Sequence, residues 1–342
     1  MVLVTKSPVT ANTCGKFISE KKNEIMGKKM FIEARGPRDT SVLGYVNSHM
    51  HLIGMPPSWL YHTPSFSNDP DYALTDPDKA VEEAKIYLRS GGQSALDATT
   101  RDYGRNPKAI YYVLEKVPEL NLILVTGFNR GIYLDEWYYE ASIDRIAELF
   151  VKEITEGIEE TPLRAGAIKI GADYMRILPI EHKCINAAIQ AHLATKAPIV
   201  VHTTIGTQAV EILDLLEKGG VDPRKVIFFH VDRNLDPWYW EEVAMRGSYL
   251  VLDQIGKIKY SPENRRIDFI LEMVSRGYEN QILLGTDFAR RSDFISYGGG
   301  PGLGYLFEKF IPLAKKIFKK KGYEEKIVEK FVKENPQRAF EI

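Results

Sequence analysis

Cysteine is nearly missing from this chain. Cys14 and Cys184 are the two among 342 residues. So distant a pair makes no disulfide framework, which predicts a reducing, cytoplasmic setting. No run of about 18 apolar residues occurs to span a membrane, and the opening MVLVTKSPVTANTCGKF has no apolar targeting core. An excess of one charge is missing too. Lys and Arg number 45 against 46 Asp and Glu, for a net charge of -1, so there is no broad basic field to attract nucleic acid. No GxGxxG follows the first strand-like run, which weakens an open dinucleotide-binding sheet. No GxSxG elbow offers a serine nucleophile.

What is present is ordinary in bulk and informative in order. Hydrophobic residues make up 44% and charged residues 27%, enough for one large α/β domain. Eight short β-like runs are predicted, at 44–51, 94–99, 122–126, 165–170, 198–202, 226–230, 249–253 and 282–287. Helical patterns fall between them, at 78–89, 142–156, 181–195, 207–218, 237–246 and 265–276. A closing pair is expected at 303–321 and 324–335, with the lysine run KKIFKKKGYEEK as a solvated helix face and end. Asp76 and Ser261 each precede a proline and are read as helix caps. The alternation predicts a parallel (β/α)8 TIM barrel over residues 33–342, with a doubly wound sheet as runner-up. Residues 1–32 are expected to be an extension packed on its outside.

Five of the eight strand runs finish in or near a potential metal ligand or base: His49 and His51, Lys169, His202, His230, and Asp287. In such a barrel the C-terminal strand ends share one rim, where active sites sit. A single strand-end histidine is ordinarily structural, and a lone lysine ordinarily snorkels. Four of the seven histidines on one rim is a different matter. His62, His182 and His192 fall in loops or helices and are read as structural. Imidazoles and a carboxylate suit Zn, Mn, Fe or Co, and this many donors suit two ions. Buried Lys169 is a poor ligand as an ammonium, but its free amine can take up CO2 to form a bridging carbamate.

The ordered motifs HMH, IKIGAD, VHT, FHVDRNLD and GTDFARR resemble the phosphotriesterase-like branch of the amidohydrolase superfamily, over roughly residues 33–342. The resemblance implies that His49, His51 and Asp287 hold one divalent ion and His202 and His230 the other. Carboxylated Lys169 and a hydroxide would bridge them. It implies attack of that hydroxide on an ester-like centre, with Asp287 passing the proton to the leaving alkoxide. The residue between the first two histidines is usually acidic in this family and is Met50 here. By strand alternation it faces away from the metals. Asn129 stands where acyl-homoserine lactonases of the family carry a tyrosine, which turns the reading from that substrate.

The loops suggest an anionic substrate. Arg233 follows the sixth strand. Lys257 and Lys259 follow the seventh, and Arg290, Arg291 and Tyr297 follow the eighth. The glycines of YGGGPGLG are expected to turn N–H groups toward a phosphate, and the cations to add charge-assisted hydrogen bonds. HVDRN, GTDFARRS and SYGGGPG look most like the subgroup that opens sugar lactones. The expected activity is therefore hydrolysis of a phosphorylated aldono-1,4-lactone, a small-molecule substrate. The alternatives are phosphotriesterase, carboxylesterase or acyl-homoserine lactonase activity on a less polar substrate and, more remotely, a non-catalytic metal-binding protein. No nucleic-acid or membrane partner is expected, and family resemblance suggests a homodimer.

Overall fold

The computed structural model describes residues 29–57 and 70–342. It begins with an antiparallel hairpin, β1 (Met30–Glu33) on β2 (Gly36–Asp39). Met30 to Ile32 therefore belong to the folded body, ahead of the boundary expected at residue 33. Most of the expected extension, residues 1–28, lies outside the described residues, as does His62.

Eight parallel strands follow in chain order around one sheet. They are β3 (Val46–Met50), β4 (Ser94–Asp97), β5 (Asn121–Gly127), β6 (Ala165–Ala172), β7 (Ile199–Thr203), β8 (Val226–Phe228), β9 (Tyr249–Leu252) and β10 (Ile282–Leu284). The extensions of β3 and β10 draw the last gap together. Asp287 N–H donates to His49 O (2.9 Å) and His51 N–H to Phe288 O (3.1 Å). With helices between the strands, this is the expected (β/α)8 barrel.

Alternation along the strands divides the core in two. Val46, Leu96, Ile123, Val125, Ala167, Val200, Ile227, Phe229, Val251 and Leu283 pack together inside the barrel. Met50, Leu122, Ile168, Ile170, Val201, Phe228 and Leu250 belong to the layer beneath the helices. Met50 thus faces away from the cup, as alternation requires. Phe31 of the hairpin and Phe340 near the end of the chain join the inner cluster, and Ile342 N–H donates to Met30 O (2.9 Å). The described chain ends seal the side of the barrel opposite the histidines.

The helix Pro77–Arg89 starts as expected, with Asp76 Oδ1 accepting from Asp78 N–H (3.0 Å). Ser261 does not cap the later helix. That helix runs Glu263–Ser275 with Pro262 at its N-cap, and the Ser261 hydroxyl turns to Pro262 O instead. The helix Pro107–Lys116 is absent from the expected set, although Asn106-Pro107 repeats the Asp76-Pro77 signal. At the end of the chain the expected pair is broken up. A π-helical turn, Leu306–Phe310, leads into Ile311–Lys320, and two short helices follow at Lys326–Lys330 and Glu334–Ala339.

Candidate active site

Each strand delivers its polar residue differently. His49 lies within β3 and His51 one residue past it. His202 is inside β7, His230 two residues beyond β8, and Asp287 three beyond β10. Lys169 is mid-strand in β6 rather than at its end, three residues on the barrel side of Ala172. Its side chain points inward and is 1% exposed. His230 and Asp287 sit at φ of +63° and +46°, a region costly for side chains other than glycine and populated at functional sites. Gly285 makes the close approach possible, because a Cβ there would lie 2.9 Å from His49 N.

The four imidazoles share one design. Each has one nitrogen on a protein oxygen and the other directed at the centre of the cup. His49 Nδ1 and His230 Nδ1 both lie on Asp253, at 2.7 and 3.0 Å. An ionised carboxylate only accepts, so both Nδ1 atoms carry the hydrogen. His51 Nδ1 lies on Thr99 Oγ1 (2.8 Å) and His202 Nε2 on Thr204 Oγ1 (3.3 Å). The inward atoms are His49 Nε2 and His51 Nε2, 3.4 and 3.5 Å from Asp287 Oδ1, and His202 Nδ1 against His230 Nε2 at 2.8 Å. His49 Nε2 is buried without a hydrogen-bond partner, a costly state for a polar atom. A cation on that lone pair removes the cost. His49, His51 and Asp287 bring three donor atoms within 4.8 Å of one another, an oxygen and nitrogen set that fits a divalent ion. His49, His230 and Asp253 form a second such group. Asp253 has already spent both oxygens on imidazole N–H groups, so we read it as the orienting carboxylate behind the ligands.

Burial favours the neutral form of three of these imidazoles. It lowers the pKa of His51 to about 4, and it lowers those of His49 and His202. It brings Lys169 down to about 8, against the opposing pull of Asp287 and Asp102. Burial alone would raise Asp287, but Lys257, His49 and His51 outweigh it and hold the carboxyl well below its ordinary range. A linkage test follows for metal-stripped enzyme. His51 titrates near 6.5 unfolded and about 4 folded, so the unfolded chain binds the extra proton between those values. Stability from His51 is complete above pH 6.5 and lost as pH falls toward 4. Asp102, raised by burial to about 6, works in the opposite direction, so a difference measurement is needed. By denaturant titration, the stability difference between wild type and His51→Phe should shift by about 2 kcal/mol between pH 7 and pH 5, against wild type. A pH-independent difference would contradict a neutral His51.

The cup has room for about 210 Å³ and is lined by His49, His51, Asn129, Lys169, His202, His230, Arg233, Lys257, Asp287 and Arg290 among others. Arg233 stacks over Tyr260 (3.8 Å) and Arg290 over Tyr72 (4.2 Å). The carboxylates beside Arg233 are engaged elsewhere, Asp232 with Arg266 (2.6 Å) and Asp236 at a helix cap. Two expected substrate contacts are not at the cup. Arg291 Nε donates to Ala73 O (2.7 Å), and Tyr297 Oη accepts from Asp76 N–H (3.2 Å). Both tie the last loop to the loop before the first barrel helix. The glycine nest is also corrected. Gly298, Gly299, Gly300 and Gly302 N–H all donate to nearby carbonyls, and Leu303 N–H donates to buried Glu83 Oε1 (2.8 Å). Those donors are already used. Lys259 does not line the cup either, lying near the Tyr260 ring. His192 is structural as expected, with Nδ1 on Ala197 O (2.8 Å), and His182 is exposed.

The expected set omits Asp253, Gln254, Tyr72, Tyr103, Tyr133 and Tyr260. Asp253 carries a usable signal, a carboxylate closing a strand run as Asp287 does. The tyrosines carry none, being four among 18.

A (β/α)8 barrel that gathers four inward imidazoles, a carboxylate and a buried amine at one rim defines a metal-dependent hydrolase. A family model described as the phosphotriesterase family matches residues 29–340, and the chain belongs to that family. It is a hydrolase of ester bonds. A lactonase structure from Listeria monocytogenes superimposes with a TM-score of 0.86 at 34% identity, covering 91% of this chain and 98% of that one. The structure of the Escherichia coli phosphotriesterase homology protein, complexed with phosphate in its active site, gives 0.80 at 30% identity, covering 88% and 99%. A phospho-furanose lactonase of Mycoplasmopsis agalactiae is 28% identical over 333 residues, 91% of this chain and 92% of that protein. No helix among the described residues is long and apolar enough to cross a membrane.

Proposed function

We propose that the enzyme opens the ring of a phosphorylated sugar lactone. The observation that carries this reading is that Arg233, Lys257 and Arg290 line the same cup as the imidazoles and Asp287. Three cations in a cavity of about 210 Å³ suit a compact anion. Pockets for drug-sized apolar ligands run to ~300–1,000 Å³, which argues against a long acyl chain or a bulky triester. The relatives named for phospho-furanose lactone hydrolysis, and the one holding phosphate in its active site, support the same substrate.

In this reading His49, His51 and Asp287 would hold one divalent ion, zinc for preference, and His202 and His230 would hold a second. Lys169, once carboxylated, would add an anionic oxygen donor to this set. Bound there, the ions would supply Lewis acidity toward the lactone carbonyl and toward water. The protein does the rest. Asp287 accepts the proton of the attacking water. It returns that proton to the ring oxygen as the acyl C–O bond breaks, giving an alcohol and a carboxylic acid, which releases the second proton of the water to solvent as it ionises. Arg233, Lys257 and Arg290 hold the phosphate by charge-assisted hydrogen bonds. Asn129, buried in the wall with its N–H on Asp102, limits the depth of the sugar.

A pH-indicator assay over 1,4-lactones with and without a terminal phosphate tests this directly. The phosphorylated lactones are expected to show kcat/KM at least about 100-fold higher, the scale of one or two hydrogen bonds to a charged group. Equal values would remove the anion site from the proposal.

A further inference from the structure

Four tyrosines, Tyr72, Tyr103, Tyr133 and Tyr260, line the cup. Three of them lie against a guanidinium: Tyr72 against Arg290, Tyr133 against Arg130 and Tyr260 against Arg233. Among the described residues Tyr103 has no such cation, and no group hydrogen-bonds its hydroxyl. Its ring packs on His51 (5.2 Å between centroids) and on Tyr133 (5.4 Å), and the residue is 9% exposed. Its root is fixed. Tyr103 ends the turn Arg101–Tyr103 after β4, with its N–H on Thr100 O (3.0 Å). Gly104 follows at φ +75°, so close to the Met55 backbone that a Cβ would collide with it. Asp102 of the same turn accepts from Asn129 N–H (2.8 Å). A phenol keeps its hydrogen at neutral pH. The cup therefore holds a buried, well-anchored donor that water or a ligand must satisfy.

We propose that Tyr103 reads the sugar, donating to a ring hydroxyl of the lactone that lies between the reacting carbonyl and the anion. Its position supports this. The ring lies on His51, at the imidazole end of the cup. The hydroxyl interacts electrostatically with Tyr133, Asp287, Tyr72 and Arg290, and Arg290 is one of the cations of the cup. In a pentono-1,4-lactone with a terminal phosphate, the hydroxyls between those two ends are on C2 and C3. A lactone without them displaces water from Tyr103 and leaves its donor unpaired, so the phenol selects by rejection as well as by attraction. This inference rests on the sugar-lactone reading. It goes further by naming the side chain that tells a sugar lactone from a plain one.

The test uses the metal-loaded enzyme and Tyr103→Phe, which keeps the ring on His51 and Tyr133 and removes the donor. The substrates are the phosphorylated pentono-1,4-lactone on which the enzyme is most active and its 2,3-dideoxy analogue. On the first, kcat/KM should fall about tenfold in the variant, the scale of one neutral hydrogen bond, and on the second it should stay within about twofold. Calorimetric affinity for the phosphorylated aldonate product should also fall about tenfold, while that for inorganic phosphate holds within about twofold. Equal losses on both lactones, or no loss on either, overturn the role of Tyr103 and leave the lactonase reading standing. If wild type shows no preference for the phosphorylated lactone, the anion site fails alone, and the same comparison on unphosphorylated lactones decides Tyr103. If no lactone is opened, both readings fail.

Discussion

Lys169→Ala should lose bound metal and at least about 100-fold in activity, beyond the 10–100-fold typical of a residue that only supports a ligand. Lys169 is 1% exposed, and its ammonium donates to Ala98 O at 2.8 Å. Burial is the largest cause of its lowered pKa, about 8. Part of the amine is then free base at neutral pH and more as pH rises. In the proposed reading the free amine would add to CO2, with loss of a proton, to give a carbamate. That would replace a cation in the cup of imidazoles by an anion that suits a metal ion. A short carboxylic acid added to Lys169→Ala should therefore restore part of the activity by filling the vacated space with a carboxylate. Metal content by elemental analysis and rates with and without the acid check this. Full metal content in the variant would remove the ligand role.

Asp253→Asn should weaken metal binding about 10–100-fold and destabilise the fold by about 1–3 kcal/mol, although Asp253 touches no substrate-lining surface. Its carboxylate is fully buried and holds His49 Nδ1, His230 Nδ1 and His230 N–H together. Burial pushes its pKa up, but His230 and His49 reverse the shift, and the group stays ionised. An amide keeps the shape but has only one acceptor oxygen. One imidazole N–H must then go unpaired or its ring must turn. Competition with a chromophoric chelator, alongside a thermal melt, separates the two effects. Unchanged metal affinity would reduce Asp253 to a packing residue.

The contrast between Lys169 and Asp253 marks what could be read early. Lys169 is conspicuous in sequence, since an amine inside AGAIKIGA has no solvent to reach. Asp253 closes YLVLD with the same kind of signal as Asp287 in ILLGTD, yet its role depends on which imidazoles it meets. His49 and His230 are 181 residues apart in the chain, and only the closed barrel brings both rings onto one carboxylate. The loops diverge further. Arg290 and Arg291 are neighbours with identical side chains. One lines the cup and the other binds Ala73 O on an adjoining loop, because consecutive residues of an irregular segment point in different directions. The glycine run shows the same limit. Composition reveals backbone freedom, whereas Glu83 and the local carbonyls decide where the N–H groups are used.

By itself, then, the order of residues determined the barrel and the rim at which four imidazoles, Lys169 and Asp287 meet. Strand alternation and the common rim of parallel strands are periodic properties that a chain carries locally. The tertiary structure alone decided the orienting carboxylate, the composition of the cationic wall and the pairing of Lys257 with Asp287. Those depend on distances between side chains from separate strands and loops, and such distances exist only once the barrel has closed.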